Sequence, residues 1–103
     1  MSDAEEALAW QLKAVGIAFE REVRFAPPRK WRAAFVIGRV IVEVDGGVWS
    51  GGRHTTGAGF MGDIEKLNAA TMLGFSVIRV TPDMVDDGSA LSLIETLVRG
   101  KEK

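Results

Sequence analysis

Residues 31–47 read WRAAFVIGRVIVEVDGG. Two runs rich in β-branched and aromatic side chains, 31–37 and 40–45, flank Gly38-Arg39, which fits a two-residue hairpin turn with glycine first. That turn sets the pairing: Ile37 faces Val40, and counting outward Ala34 faces Glu43 and Arg32 faces Asp45. Because side chains alternate along a strand, Arg32, Ala34, Glu43 and Asp45 are expected on one side of the sheet. A strand this apolar that ends in two carboxylates requires an explanation, since an unpaired buried carboxylate is costly. One reading is an Arg32–Asp45 ion pair with Glu43 reaching solvent. The other lets Glu43 and Asp45 converge on a hard cation, a magnesium ion whose shell is completed by carbonyl and water oxygens. Such a site wants a third acid where Ala34 stands.

Working outward, Ser2 and Glu5 have the form of a capping box, and Leu8, Leu12 and Val15 repeat at helical spacing until Gly16, so residues 3–15 are expected to be a helix. FEREVRF alternates from Phe19 through Val23 to Phe25, the period of a half-buried strand, and Pro27-Pro28 stop it. Beyond the hairpin, residues 46–59 carry six glycines, Gly46, Gly47, Gly51, Gly52, Gly57 and Gly59, and read as a long loop of the kind that often serves function. Phe60, Ile64, Leu67 and Thr71 mark one face of a second helix closed by Gly74. Phe75–Val80 is a short strand, and Thr81-Pro82 opens a last helical region toward Val98, interrupted near Gly88. The order is α-β-β-β-α-β-α in a single α/β domain, a size suited to 103 residues. Gly57, Gly59 and Gly62 spell a dinucleotide fingerprint, but no strand runs into them and no βαβ unit surrounds them.

Composition narrows the chemistry. Hydrophobic residues make up 47% and charged residues 26% of the chain, as in ordinary globular proteins. The absence of cysteine excludes disulfides, thiolate metal sites and a cysteine nucleophile, so any metal is held by oxygen or by the lone His54. No apolar run approaches the ~20 residues needed to span a bilayer, and MSDAEEALAW lacks a signal peptide's basic start, so no membrane partner and a cytoplasmic location are expected. Net charge is only −1, yet Arg21, Arg24, Arg29, Lys30, Arg32 and Arg39 crowd the first half while Asp83, Asp86, Asp87 and Glu95 come late. A basic face for a polyanion, or an ordinary solvated surface, accounts for this equally well.

An acid on one strand, a turn, and E-x-D on the next, between an acidic first helix and a lysine-bearing second one, resembles the PD-(D/E)XK nuclease superfamily. Within it, the run WRAAF, VIVEVDGGVWSGGRHTTGAGF, DIEKLN and LGFSVIRVTPDMV is similar to small phage and bacterial endonucleases related to the very-short-patch repair type, over Glu5 to Val85. The resemblance implies a restriction-endonuclease-like fold with a central mixed four-stranded sheet flanked by helices. It implies Mg²⁺, replaceable by Mn²⁺, held by position 34, Glu43 and Asp45, with DNA as substrate in a bacterial or phage-infected cell. Relatives carry aspartate where Ala34 stands. An alanine cannot ligate metal, so this chain is expected to cleave weakly or not at all, whether the alanine is natural or introduced. Asp45 takes the place where lysine is commoner, which makes Lys66 the candidate amine.

The remaining candidates have competing roles. Glu5 shares a face with Leu8 and Leu12 and either approaches the site or serves the capping box. Lys66 either assists hydrolysis or forms an i,i+3 pair with Asp63. His54 is a general base, ligand or phosphate contact, or a surface histidine. Arg53 suits a phosphate, Trp49 a base or the core, and Arg79 an acid of the site or a phosphate. Arg29, Lys30 and Arg32 are expected to hold a DNA backbone without reading its sequence. The expected activity is a structure-specific or nicking metal-dependent endonuclease, with dimerisation widening its footprint. The rival is a non-catalytic DNA-binding module, or a subunit of a phage complex, on a nuclease fold.

Overall fold

The computed structural model describes residues 2–45 and 57–100, with the backbone alone for 57–61. Helix α1 spans Asp3–Ala14. Its start is the expected capping box: the Glu5 N–H donates to Ser2 Oγ at 3.1 Å, and the Ser2 N–H to Glu5 Oε1 at 3.3 Å. Strands β1 (Glu20–Val23), β2 (Ala33–Ile37) and β3 (Val40–Val44) follow, then α2 (Gly57–Met72), β4 (Ser76–Val80), α3 (Pro82–Asp86) and α4 (Ser89–Gly100). Gly57 to Gly59 therefore belong to α2 and not to the glycine loop, whose residues 46–56 lie outside the described ones. Thr81 caps α3 by accepting from the Met84 N–H, with Pro82 in the first turn, and Gly88 at φ 87° separates α3 from α4.

The strands form one sheet in the order β1-β2-β3-β4, antiparallel except for the parallel β3–β4 pair. Ile37 pairs with Val40 around Gly38-Arg39, and Gly38 takes the positive φ (59°) that a glycine-first turn needs. Alternation along β2 and β3 feeds two cores. On one face Phe35, Ile37, Val40, Val42 and Val80 pack against Leu8 and Leu12 of α1, Val85 of α3 and Ile94 of α4. On the other, Val36 and Ile41 meet Ala70 of α2, with Phe25, Phe75 and Val77 around them. The order and the mixed four-stranded sheet between helices agree with the sequence reading. Among the described residues no helix is long and apolar enough to cross a membrane.

Two expectations about faces are corrected. Leu67 faces inward as expected, but Thr71 is exposed and it is Ala70 that reaches the sheet, and α2 lines the cavity with Asp63, Lys66, Leu67 and Ala70. Alternation also breaks beside the hairpin. Phe19 packs with the α1-side core but Val23 and Phe25 with the α2-side core, and likewise Ala33 lies on the α2 side and Ala34 on the α1 side, next to Phe35. Opposite Ala34, Glu22 holds φ 54°, a left-handed conformation that costs a non-glycine residue about 1–2 kcal/mol. That twist turns the paired strands together, so Ala34 does not share a face with Glu43.

Candidate functional site

Glu43 sits where the β2–β3 ladder stops. Regular pairing ends at Phe35–Val42, and beyond it the Ala34 N–H donates to the Glu43 side chain, at 2.9 Å to Oε2, in place of a backbone carbonyl. The other oxygen, Oε1, accepts from Lys66 Nζ at 2.7 Å, and the same ammonium donates to the Arg32 carbonyl at 2.9 Å. Lys66 thus joins α2 to β3 and to the chain entering β2. The pair is half-buried, with side-chain exposures of 22% and 24%, which places its strength between that of a solvated and a buried ion pair.

Asp45, one residue past β3, is fastened to β4 twice. Its N–H donates to the Val80 carbonyl at 2.7 Å, and its carboxylate accepts from Arg79 Nη2. Of the readings open from the sequence, the Arg32–Asp45 pair does not form and Arg79 pairs with an acid of the site, Asp45, because β4 runs parallel beside β3 with Glu43 in register with Arg79. Glu43, Asp45, Asp63, Lys66, Arg79 and Phe25 all line a cavity of about 70 Å³ whose floor is apolar sheet. That volume takes a few waters. It lies far below the ~300–1,000 Å³ of sites that engulf a small molecule, so a large substrate would lie across the opening.

Of the sequence candidates, the fold brings Glu43, Asp45, Lys66 and Arg79 together. It does not bring in Ala34, whose backbone reaches Glu43 while its methyl packs with the opposite core. Glu5 serves the capping box at the start of α1, on the other side of the sheet. His54, Trp49 and Arg53 lie outside the described residues. Arg29, Lys30 and Arg32 are exposed on the segment between β1 and β2. The sequence reading missed two aromatics. Phe25 lines the cavity, and Trp31 stacks on Phe25 with ring centroids 6.4 Å apart while Arg29 lies 3.9 Å over its ring. The signal available was an arginine two residues before a tryptophan, but Arg29 leaves a turn closed by its own N–H on the Ala26 carbonyl, so strand alternation could not predict the contact.

As they stand, these residues do not fit a magnesium ion. Both Glu43 oxygens have donors, Asp45 is held by Arg79, and position 34 offers no oxygen from its side chain. No trio of His, Cys, Asp or Glu with metal-binding geometry occurs among the described residues. A divalent ion needs several oxygens together and would have to displace two cations first.

No family model matches the chain, and no curated protein matches it. A solved structure does: the catalytic domain of the homing endonuclease I-Bth0305I superimposes with a TM-score of 0.69 at 19% identity, over 93% of each chain. The chain has a nuclease-like fold. At this identity the shared feature is the fold, mixed sheet and flanking helices together, over nearly the full length of both chains.

Proposed function

We propose that this protein is a DNA-binding member of the PD-(D/E)XK endonuclease lineage, of the very-short-patch repair type, whose phosphodiester-hydrolysing centre is closed. The observation that carries the reading is the Glu43 carboxylate, held by Lys66 on one oxygen and by the Ala34 N–H on the other. An acid at the end of β3 with a lysine from α2 beside it is the pairing that the sequence resemblance implies for the active relatives. The likeness to a homing endonuclease catalytic domain supports the same lineage.

The chemistry of the residues present is binding and positioning. Lys66 and Arg79 place two cations at the rim of the cavity, where they attract a phosphate and orient it by hydrogen bonds. Neither Glu43 nor Asp45 can activate a water while it answers its own cation.

The test is a supercoiled-plasmid nicking assay in Mg²⁺ and in Mn²⁺, run beside a binding titration with labelled duplex DNA. The expected result is binding without nicking by this chain and, because position 34 faces the core on the opposite side of the sheet from Glu43, no recovery of nicking in Ala34→Asp. Efficient turnover by the unaltered chain would overturn the closed centre. Recovery of nicking in Ala34→Asp would place position 34 beside Glu43 and overturn the closed centre as well.

A further inference from the structure

Between Arg24 and Arg39 the chain carries five cations, Arg24, Arg29, Lys30, Arg32 and Arg39, and no acid, although the whole protein has a net charge of −1. All five are exposed. An unpatterned basic stretch would be floppy, but this one is built onto a ladder of rings. Arg29 lies 3.9 Å from the centre of the Trp31 ring, Trp31 stacks on Phe25 at 18°, Phe25 meets the Phe75 edge at 6.0 Å, and Arg39 lies 4.2 Å over Phe75.

The ends of the ladder are also tied by hydrogen bonds. Arg24 Nη2 donates to the Pro28 and Arg29 carbonyls, fixing the loop that carries Arg29 and Lys30. At the other end Arg39 donates to the Leu73 carbonyl from the hairpin tip. The one acid paired with the strip among the described residues is Glu65 of α2, 3.5 Å from Arg29, in a pair whose side chains are both about half exposed. Pairs of that kind are weak, so an incoming anion displaces Glu65 at little cost.

We propose that this ladder is a preorganised docking strip for a nucleic-acid backbone, with Arg29 and Arg39 as its two phosphate-binding ends and Trp31 as a positioning residue for Arg29. The inference rests on the DNA reading above and extends it to named residues. Cations held on ring faces lose less freedom on binding than free side chains, so they bind anions more tightly for the same charge. A strip with cations spread along it suits a repeating polyanion better than a single acidic group. Phe25 belongs both to the ladder and to the cavity wall, so a strand docked on the strip passes the Glu43–Lys66 pair.

The experiment measures binding of a fluorescein-labelled duplex by anisotropy at increasing salt. The variants are Arg29→Gln, Arg39→Gln, Lys30→Gln, Trp31→Leu and the pair Trp31→Leu with Arg29→Gln. Arg99→Gln on α4, away from the strip, is the control, and thermal melts confirm that each variant folds. Each strip cation removed is expected to weaken binding several-fold and to lower the slope of log K against log salt by about 1. Trp31→Leu is expected to weaken binding alone but to add nothing once Arg29 is gone, an outcome that a merely structural tryptophan would not produce. Folded strip variants that bind like the unaltered protein would overturn the strip and leave the DNA reading standing. Equal affinity for poly-glutamate of matched charge would assign the strip to acidic proteins and overturn it too. No duplex binding by the unaltered protein at low salt would overturn the DNA reading itself.

Discussion

Lys66 on α2 and Glu43 on β3 meet at 2.7 Å across 23 positions of chain. The contact closes α2 onto the carboxyl end of β3 at the one place where the β2–β3 ladder has lost its backbone bonds. Replacing Lys66 by Met leaves the Glu43 carboxylate half-buried with one donor fewer. The expected loss is about 1–2 kcal/mol, between the ~0–1 of an exposed pair and the ~3–5 of a broken buried one. Urea unfolding of Lys66→Met, Glu43→Gln and the double variant checks it. A coupling energy near zero would mean that the pair contributes nothing to the fold.

Ala34→Asp tests the twist in β2 as well as the activity. With its methyl against the α1-side core, position 34 offers a new carboxylate little solvent on that side. If the strand keeps its shape, the variant is expected to lose about 1–3 kcal/mol. If the strand untwists so that the introduced carboxylate turns toward Glu43, the cost moves to like-charge repulsion and becomes sensitive to salt. Denaturation at low and high salt separates the two, and an unchanged midpoint in both would contradict the face assignment.

Gly74 is required by its own backbone, and the Arg39 side chain fills the space beside it. Its φ is +90°, and a Cβ there would lie 2.7 Å from Arg39 Nη2. Gly74→Ala is expected to destabilise by about 1 kcal/mol or more from the backbone alone. It should also push Arg39 off the Phe75 ring, visible as changed chemical shifts of the Phe75 ring protons. A thermal midpoint equal to the parent's would count against this packing.

Asp87 supplies a pH dependence whose sign is definite. Hydrogen bonds from Ser89, from its side chain and from its N–H at 2.8 Å, hold the Asp87 carboxyl below its ordinary value. A depressed carboxylate contributes stability that is complete above the unfolded-state pKa and is lost as pH falls through the lower folded-state value. Asp87→Asn should therefore flatten the acid limb of the stability curve and leave the shape of the curve near neutral pH as it is in the parent. Glu6, lowered by its hydrogen bond from Arg21 at 3.0 Å, acts in the same direction, so removing both carboxylates should flatten the limb further. Melting temperatures measured from acid to neutral pH provide the check, and an unchanged acid limb in Asp87→Asn would remove this account.

Much of the site is written in local pattern, and part of it is not. Glu43 and Asp45 are conspicuous as acids closing an apolar strand, whereas Lys66 is singled out only through the family resemblance. The face of Ala34 could not be read, because a period of two assumes regular strands, and the positive φ of Glu22 breaks that period in a residue type that gives no warning of it. The partner of Asp45 is legible only in part, since the sequence offers Arg79 an acid of the site or a phosphate without saying which acid. Hairpin counting sees only β2, whereas Arg79 arrives on a parallel strand 34 residues later.

By itself the sequence determined the capping box of α1, the Gly38-Arg39 turn, the Thr81-Pro82 start of α3 and the order of elements. Each of these is settled by interactions within a few residues, where backbone conformation and one or two hydrogen bonds decide the outcome. Only the tertiary structure decided that β4 lies parallel beside β3, that Lys66 answers Glu43 and Arg79 answers Asp45, and that Ala34 turns away from them. Those choices depend on which distant groups the two cores bring within hydrogen-bond reach, and burial makes pairing them compulsory.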